Sequence, residues 1–103
     1  RKVVNRECAE VLQKVDVLIT PTMTQPAPAF EGYDATSNIT GRSFTAPFNL
    51  TGLPAISVPC GFTASGLPVG MQIAGKPFDE PGVIRAAYAY QQEARWFEQR
   101  PSI

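Results

Sequence analysis

Two runs of residues, 55–60 and 69–74, alternate with the two-residue period of a β-strand, and neither alternation has a wet side. Ile56, Val58 and Cys60 stand against Ala55, Ser57 and Pro59; Val69, Met71 and Ile73 stand against Gly70, Gln72 and Ala74. The second face carries Ala55, Ser57, Gly70 and Ala74, small residues that admit a helix or another backbone at close range. With Ser65-Gly66 as the turn, the two runs predict a β-hairpin covered on both faces. A third run, Asp16-Val17-Leu18-Ile19-Thr20-Pro21, is continuously apolar at its centre and closed by a proline that cannot donate to a ladder. Three such strands cannot close a sheet alone, because their outer edges leave N–H and C=O groups unpaired. The sheet is therefore expected to continue into a segment outside this chain or into a partner.

The remaining elements are helices and one long loop. Val4, Cys8, Val11, Leu12 and Val15 recur at three- and four-residue steps and predict a helix over 2–15. Residues 22–41 contain Pro26, Pro28, Gly32 and Gly41 among many Thr, Ser and Asn, which reads as a loop of the length that usually binds something or moves. The stretch 44–52 (FTAPFNLTG) suits a short helix with Pro47 in its first turn and Gly52 near its C-cap. Asp79 suits an N-cap and Pro81 a first turn. From there Val83, Ile84, Ala87, Tyr88, Gln91, Ala94 and Phe97 trace an apolar stripe along a final helix expected to fray near Arg100 and Pro101. The order helix, strand, long loop, short helix, hairpin, helix is that of an α/β fold. The length of 103 residues allows one domain, 1–103, and no more. The chain opens inside a helical pattern and without Met, which implies a piece of something longer.

Charge and composition remove whole classes of function. Nine basic residues balance nine acidic ones and no Lys/Arg cluster exists, so the electrostatic footprint of nucleic acid or of an anionic membrane is missing. No apolar run approaches the roughly 20 residues that span a bilayer, and RKVVNRECAE lacks the apolar centre of a signal peptide, which makes the cytoplasm the expected location. The chain has no His, which excludes Ser-His-Asp and Cys-His catalysis from within it and the usual zinc sites. Cys8 and Cys60 lack metal-ligand or redox spacing and read as two buried free thiols. No motif calls for a metal or an organic cofactor.

The nucleophile systems left to such a chain are Ser-Lys, Ser-Ser-Lys, a thiolate activated by a cation, and Thr with an N-terminal amine, which a start at Arg1 removes. Ser57 on one hairpin strand and Lys76 just beyond the other are the one pair that the topology could bring together, yet no glycine-rich turn at Ser57 would furnish an oxyanion pocket. A structural strand serine is the favoured reading. Asp79 and Glu80 need no role beyond the start of the last helix.

The string FTAPFNLTGLPAISVPCGFTASGLPVGMQIAGKPFDE is far more specific than any of these short patterns, and it resembles the C-terminal region of the amidase signature family. DVLITPTMTQPAP before it and PGVIRAAYAYQQEARW after it are similar to the flanks of the same region, so the resemblance covers nearly the whole chain in order. The family includes amidases and the A subunit of glutamyl-tRNA amidotransferases. The resemblance implies an α/β/α domain with a mixed sheet flanked by helices, incomplete in this chain, and hydrolysis of a small carboxamide through an acyl-enzyme. The family's nucleophilic Ser, its bridging Ser on a cis peptide bond and its neutral Lys base have no matching positions here, so this chain is expected to hold no catalytic residue.

The resemblance further implies that the loop TPTMTQP and the segment GRSFTAPFNLTG line the substrate pocket, through Thr22, Met23, Arg42, Phe44, Thr45 and Asn49. Core packing is the competing account of Phe44, Phe48 and Leu50. Members acting on glutamyl-tRNA carry an Asp where Arg42 stands. A cation there would repel an ammonium and favour an anionic or neutral amide, which tilts the reading toward a general amidase. The implied partners are the missing N-terminal part and a small amide, with no nucleic acid or membrane. The A subunit of a glutamyl-tRNA amidotransferase stays an alternative, and a non-catalytic interaction module that pairs through a sheet edge or the proline-rich loop is the alternative from another class. Low charge and open edges predict that the chain in isolation associates with itself or partly unfolds.

Overall fold

The computed structural model describes residues 2–31 and 43–102, so the loop expected over 22–41 is described only as far as Glu31. The elements run α1 (Lys2–Leu12), β1 (Val17–Pro21), α2 (Ala46–Thr51), β2 (Ala55–Phe62), β3 (Pro68–Gly75) and α3 (Glu80–Ala94), followed by a 3-10 turn at Trp96–Glu98. The sheet has three strands in the order β1-β3-β2, and both pairings are antiparallel. The hairpin is the predicted one, turning at Gly66, with a bulge at Cys60 between the paired Pro59 and Gly61. β1 adds to the free side of β3 and stops at Pro21, so the last strand in sequence becomes the central one.

The alternation sorts the strands into two faces. On one, Val58 and Ile73 meet Val83 and Ala87 of α3, with Val17, Ile56, Met71, Ala86 and Tyr90 packed around them. Gly75 lets the helix approach: a Cβ there would stand 2.6 Å from Val83 Cγ2. Asp79 caps α3 as expected, accepting a hydrogen bond from the Gly82 amide at 3.1 Å. On the other face lie Thr20, Ser57, Gln72 and Ala74, and the stretch entering α2 crosses above β3 there. α1 packs on α2.

The structure differs from the sequence reading in several places. The second face is not covered throughout. Gln72 and Ala74 on the central strand are buried, whereas Ala55, Ser57 and Pro59 on edge strand β2 are exposed because no described element lies over them. α1 ends at Leu12, short of the expected Val15, and of its apolar stripe only Leu12 is buried, since the helix leans on α2 and not on the sheet. Cys8 and Cys60 are half-buried free thiols, not buried ones. α3 closes at Ala94 instead of fraying near Arg100. Arg95 takes a left-handed conformation (φ 52°) and returns its amide to Gln91, which turns Trp96 edge-on to Phe62 at 6.1 Å. The Arg95 guanidinium pairs with Glu98, whose hydrogen bond and charge raise its pKa still further above the neutral range. Ile84 and Tyr88, counted with the stripe, face outward at 58% and 62% exposure, while Val83 and Ala87 face the sheet. No helix among the described residues is long and apolar enough to cross a membrane.

Candidate functional site

The polar groups of the second face form two hydrogen-bonded sets side by side. Thr20 on β1 and Ser57 on β2 both lie opposite Gln72 on β3, so three polar side chains line up across the sheet. Gln72 is 5% exposed, a depth at which an amide needs hydrogen-bond partners. Its Nε2 donates to Thr20 Oγ1 at 3.0 Å and to the Phe44 carbonyl at 2.9 Å. Thr20 Oγ1 in turn donates to the Pro21 carbonyl at 2.9 Å. Both donors of the Gln72 amide are thereby used, and they tie β1, β3 and the entry to α2 together.

One register step further along, Thr22 Oγ1 and Ser57 Oγ share a hydrogen bond of 2.6 Å. Ser57 belongs to β2 and Thr22 directly follows β1, and the bond passes over the central strand at Gly70. A Cβ on Gly70 would lie 2.8 Å from Ser57 Oγ and 3.1 Å from Thr22 Oγ1, so the hydroxyl pair requires glycine beneath it. The Thr22 amide extends the ladder past Pro21 by donating to Gly70 O at 3.1 Å.

The segment 43–51 carries the other candidate side chains. Ser43 Oγ accepts from the amides of Thr45 and Ala46 at 3.3 and 3.1 Å and lies 3.2 Å from Thr45 Oγ1. Ser43 thus performs the capping that Thr45, the N-cap residue by position, does not make with its own side chain. Thr45 O accepts from Phe48 and Asn49, which puts Asn49 one turn above Thr45 on the same side of α2. Phe48 is buried and Gly52 closes the helix at φ 73°.

Of the six candidate residues, Phe44 meets Gln72 through its carbonyl, Thr45 and Asn49 follow it into α2, and Thr22 pairs with Ser57 above Gly70. Phe44 is 37% exposed and takes part through its backbone carbonyl. Met23 stands apart from the row at 65% exposure. Arg42 lies outside the described residues. Gln72, Thr20 and Ser43 escaped the sequence reading. The signal for Gln72 was available: a lone amide among small and apolar residues, in a strand expected to be covered on both faces, has to be satisfied by specific partners.

Ser57 and Lys76 do not meet. Lys76 follows the end of β3 and pairs with Asp16 at 3.6 Å, whereas Ser57 is opposite Gln72, four strand residues or roughly 13 Å away. With the Ser57 hydroxyl bonded to Thr22 and no base beside it among the described residues, nothing there activates Ser57 as a nucleophile. Two open clefts lie elsewhere. One of about 450 Å³ is mostly apolar and runs between α1, Thr51 and Lys76-Pro77; another of about 500 Å³ is bordered by Asp16, Asp79 and Arg85. Among the described residues no group of three or more His, Cys, Asp or Glu is placed to hold a metal.

Comparison with known proteins gives this arrangement its context. The family model described as Amidase matches residues 1–84. The A subunit of glutamyl-tRNA(Gln) amidotransferase from Thermodesulfovibrio yellowstonii is 45% identical over the whole of this chain, which covers 22% of that protein. Among solved structures, the A subunit of the Thermotoga maritima glutamyl-tRNA(Gln) amidotransferase superposes with a TM-score of 0.80 at 39% identity, over 89% of this chain and 20% of that one. A bacterial aryl acylamidase of the amidase signature family gives 0.78 at 28% identity, over 97% and 24%. The chain thus spans about a fifth of the length of these relatives. The matched residues take in every element from α1 to the first turn of α3, including the whole polar row, and the chain belongs to the amidase signature family.

Proposed function

We propose that residues 1–103 are the C-terminal portion of a single amidase-signature domain, in an enzyme that hydrolyses the C–N bond of a small carboxamide. The observation that carries this reading is the 45% identity to an amidotransferase A subunit over the full chain, beside which Ser57, bonded to Thr22, has no activating base among the described residues. The chemistry would come from the remaining four-fifths of the domain. There a serine activated by a neutral lysine through a bridging serine attacks the amide carbonyl, the amine leaves with a proton, and water releases the acyl group. This segment supplies one wall of the pocket: Phe44, Thr45 and Asn49 at the α2 entry, with Thr22 and Met23 at the end of β1. Arg42 adjoins that wall in sequence and selects an anionic or neutral amide.

The same missing portion would cover the open side of β2 and the outward Ile84 and Tyr88. The test is ammonia release by the full-length protein from a panel of neutral, anionic and amino-bearing carboxamides. Arg42→Ala is expected to lower kcat/KM on the anionic ones by about tenfold to a hundredfold, as for a lost charged hydrogen bond. Absence of amide hydrolysis by the full-length protein overturns the reading.

A second reading, favoured by the relatives that are A subunits, is that the parent is one component of a multi-subunit amidotransferase. It predicts hydrolysis of glutamine in preference to anionic amides without an α-amino group, and co-purification with other subunits. The basic residue at position 42 speaks for the first reading, since it would repel the ammonium of glutamine.

A further inference from the structure

Among the described residues Gln72 is the one polar side chain buried in the sheet, and both of its amide protons are spent on partners inside the protein. We propose that Gln72 is a positioning residue that holds the Phe44–Asn49 wall at its height above the sheet and so sets substrate affinity; this rests on the amide-hydrolase reading above.

The geometry admits one orientation of the amide. The Phe44 carbonyl only accepts, so the NH₂ group must face it, and Thr20 Oγ1 is free to accept the other proton because its own proton goes to the Pro21 carbonyl. The next carbonyl along, Thr45 O, receives the Phe48 and Asn49 amides that open α2, so a displacement of Phe44 is passed directly into the first turn of that helix. α2 has six residues and cannot hold its own place by helix formation. The hydrogen bonds of Ser43 and Thr45 are internal to the segment and fix its shape without fixing its position. The Gln72–Phe44 bond therefore supplies what those bonds do not, a polar link from the wall to the middle strand of the sheet.

The experiment compares Gln72→Glu, Gln72→Leu, Thr20→Val and Thr20→Ser in the full-length protein, by steady-state ammonia release and by amide hydrogen exchange. Gln72→Glu keeps the side chain's size but turns a carboxylate oxygen toward the Phe44 carbonyl. For both Gln72 variants KM is expected to rise about tenfold while kcat stays within about threefold, because the wall moves and the distant catalytic groups do not. Exchange at Thr45, Phe48 and Asn49 is expected to quicken about tenfold, with the β2–β3 ladder unaffected. Thr20→Ser, which keeps the acceptor, should raise KM less than Thr20→Val, and this pair decides the matter if the Gln72 variants do not fold.

An unchanged KM with unchanged exchange at Thr45–Asn49 overturns the inference. So does a fall in kcat with KM constant, which would mark general loss of structure. Should the wild-type protein release no ammonia from any amide, the functional reading falls with the affinity claim, while the exchange data separately judge whether Gln72 anchors the wall.

Discussion

Gly70→Ala tests the hydroxyl pair that spans the sheet. Gly70 has an ordinary extended backbone, outside the positive-φ glycines of the chain, so alanine meets no conformational penalty there. Removing a glycine would by itself stabilise the protein by about 0.4–1 kcal/mol through the unfolded state. The new Cβ, however, falls 2.8 Å from Ser57 Oγ and 3.1 Å from Thr22 Oγ1, and the two hydroxyls cannot keep their 2.6 Å bond around it. Losing that bond costs about 0.5–1 kcal/mol, and the forced displacement of both side chains about 1–2 kcal/mol. The balance is a destabilisation of about 0.5–2.5 kcal/mol, concentrated where Thr22 N donates to Gly70 O. In native-state hydrogen exchange of the full-length protein, the Thr22 amide should exchange about tenfold faster. The same substitution in a Ser57→Ala background should cost nothing or stabilise slightly, because the closest atom is gone and Thr22 can turn aside. A coupling of about 1 kcal/mol or more between positions 57 and 70 is the expected result. Equal costs in the two backgrounds, or unaltered exchange at Thr22, would refute the reasoning.

Gly75→Ala should destabilise the protein by about 1–3 kcal/mol in urea unfolding, because its Cβ meets Val83 Cγ2 at 2.6 Å; adding Val83→Ala should return part of that loss if the clash is its source. Asp79→Ala removes the cap on the Gly82 amide and should cost about 1 kcal/mol, whereas Asp79→Ser should cost clearly less in the same measurement. Lys76→Ala breaks only an exposed pair with Asp16, so neither the melting temperature nor amide hydrolysis by the full-length protein should change measurably; loss of hydrolysis would revive a Ser57–Lys76 pair. The isolated 103-residue chain should sediment above its 11.2 kDa mass, and Ile84→Lys with Tyr88→Lys should reduce that association if the outward face of α3 drives it.

Local periodicity determined most of the fold. The two-residue alternation of 55–60 and 69–74, the Ser65-Gly66 turn, the stop at Pro21, and the Asp79 and Gly52 caps are all properties of short stretches, and each appears where the sequence puts it. Low charge and two-sided strands also pointed to a larger sheet than three strands. The order β1-β3-β2 was not legible, because no local pattern says which edge of a hairpin a distant strand will choose. The site followed the same division. Phe44 was expected at a pocket from a family resemblance, but the residue its carbonyl meets, Gln72, is defined by register: Thr20 and Ser57 face it across two different strands, and Phe44 reaches it from 28 residues away. α1 shows the converse. Its helical stripe was plain in the sequence, yet only packing decided that Leu12 would be buried and Val11 left exposed, since burial depends on which neighbour arrives and not on the stripe itself. Spacing along the chain thus set which residues share a face, and the tertiary structure alone decided what each face meets, because those partners are brought together by pairing and packing across long sequence separations.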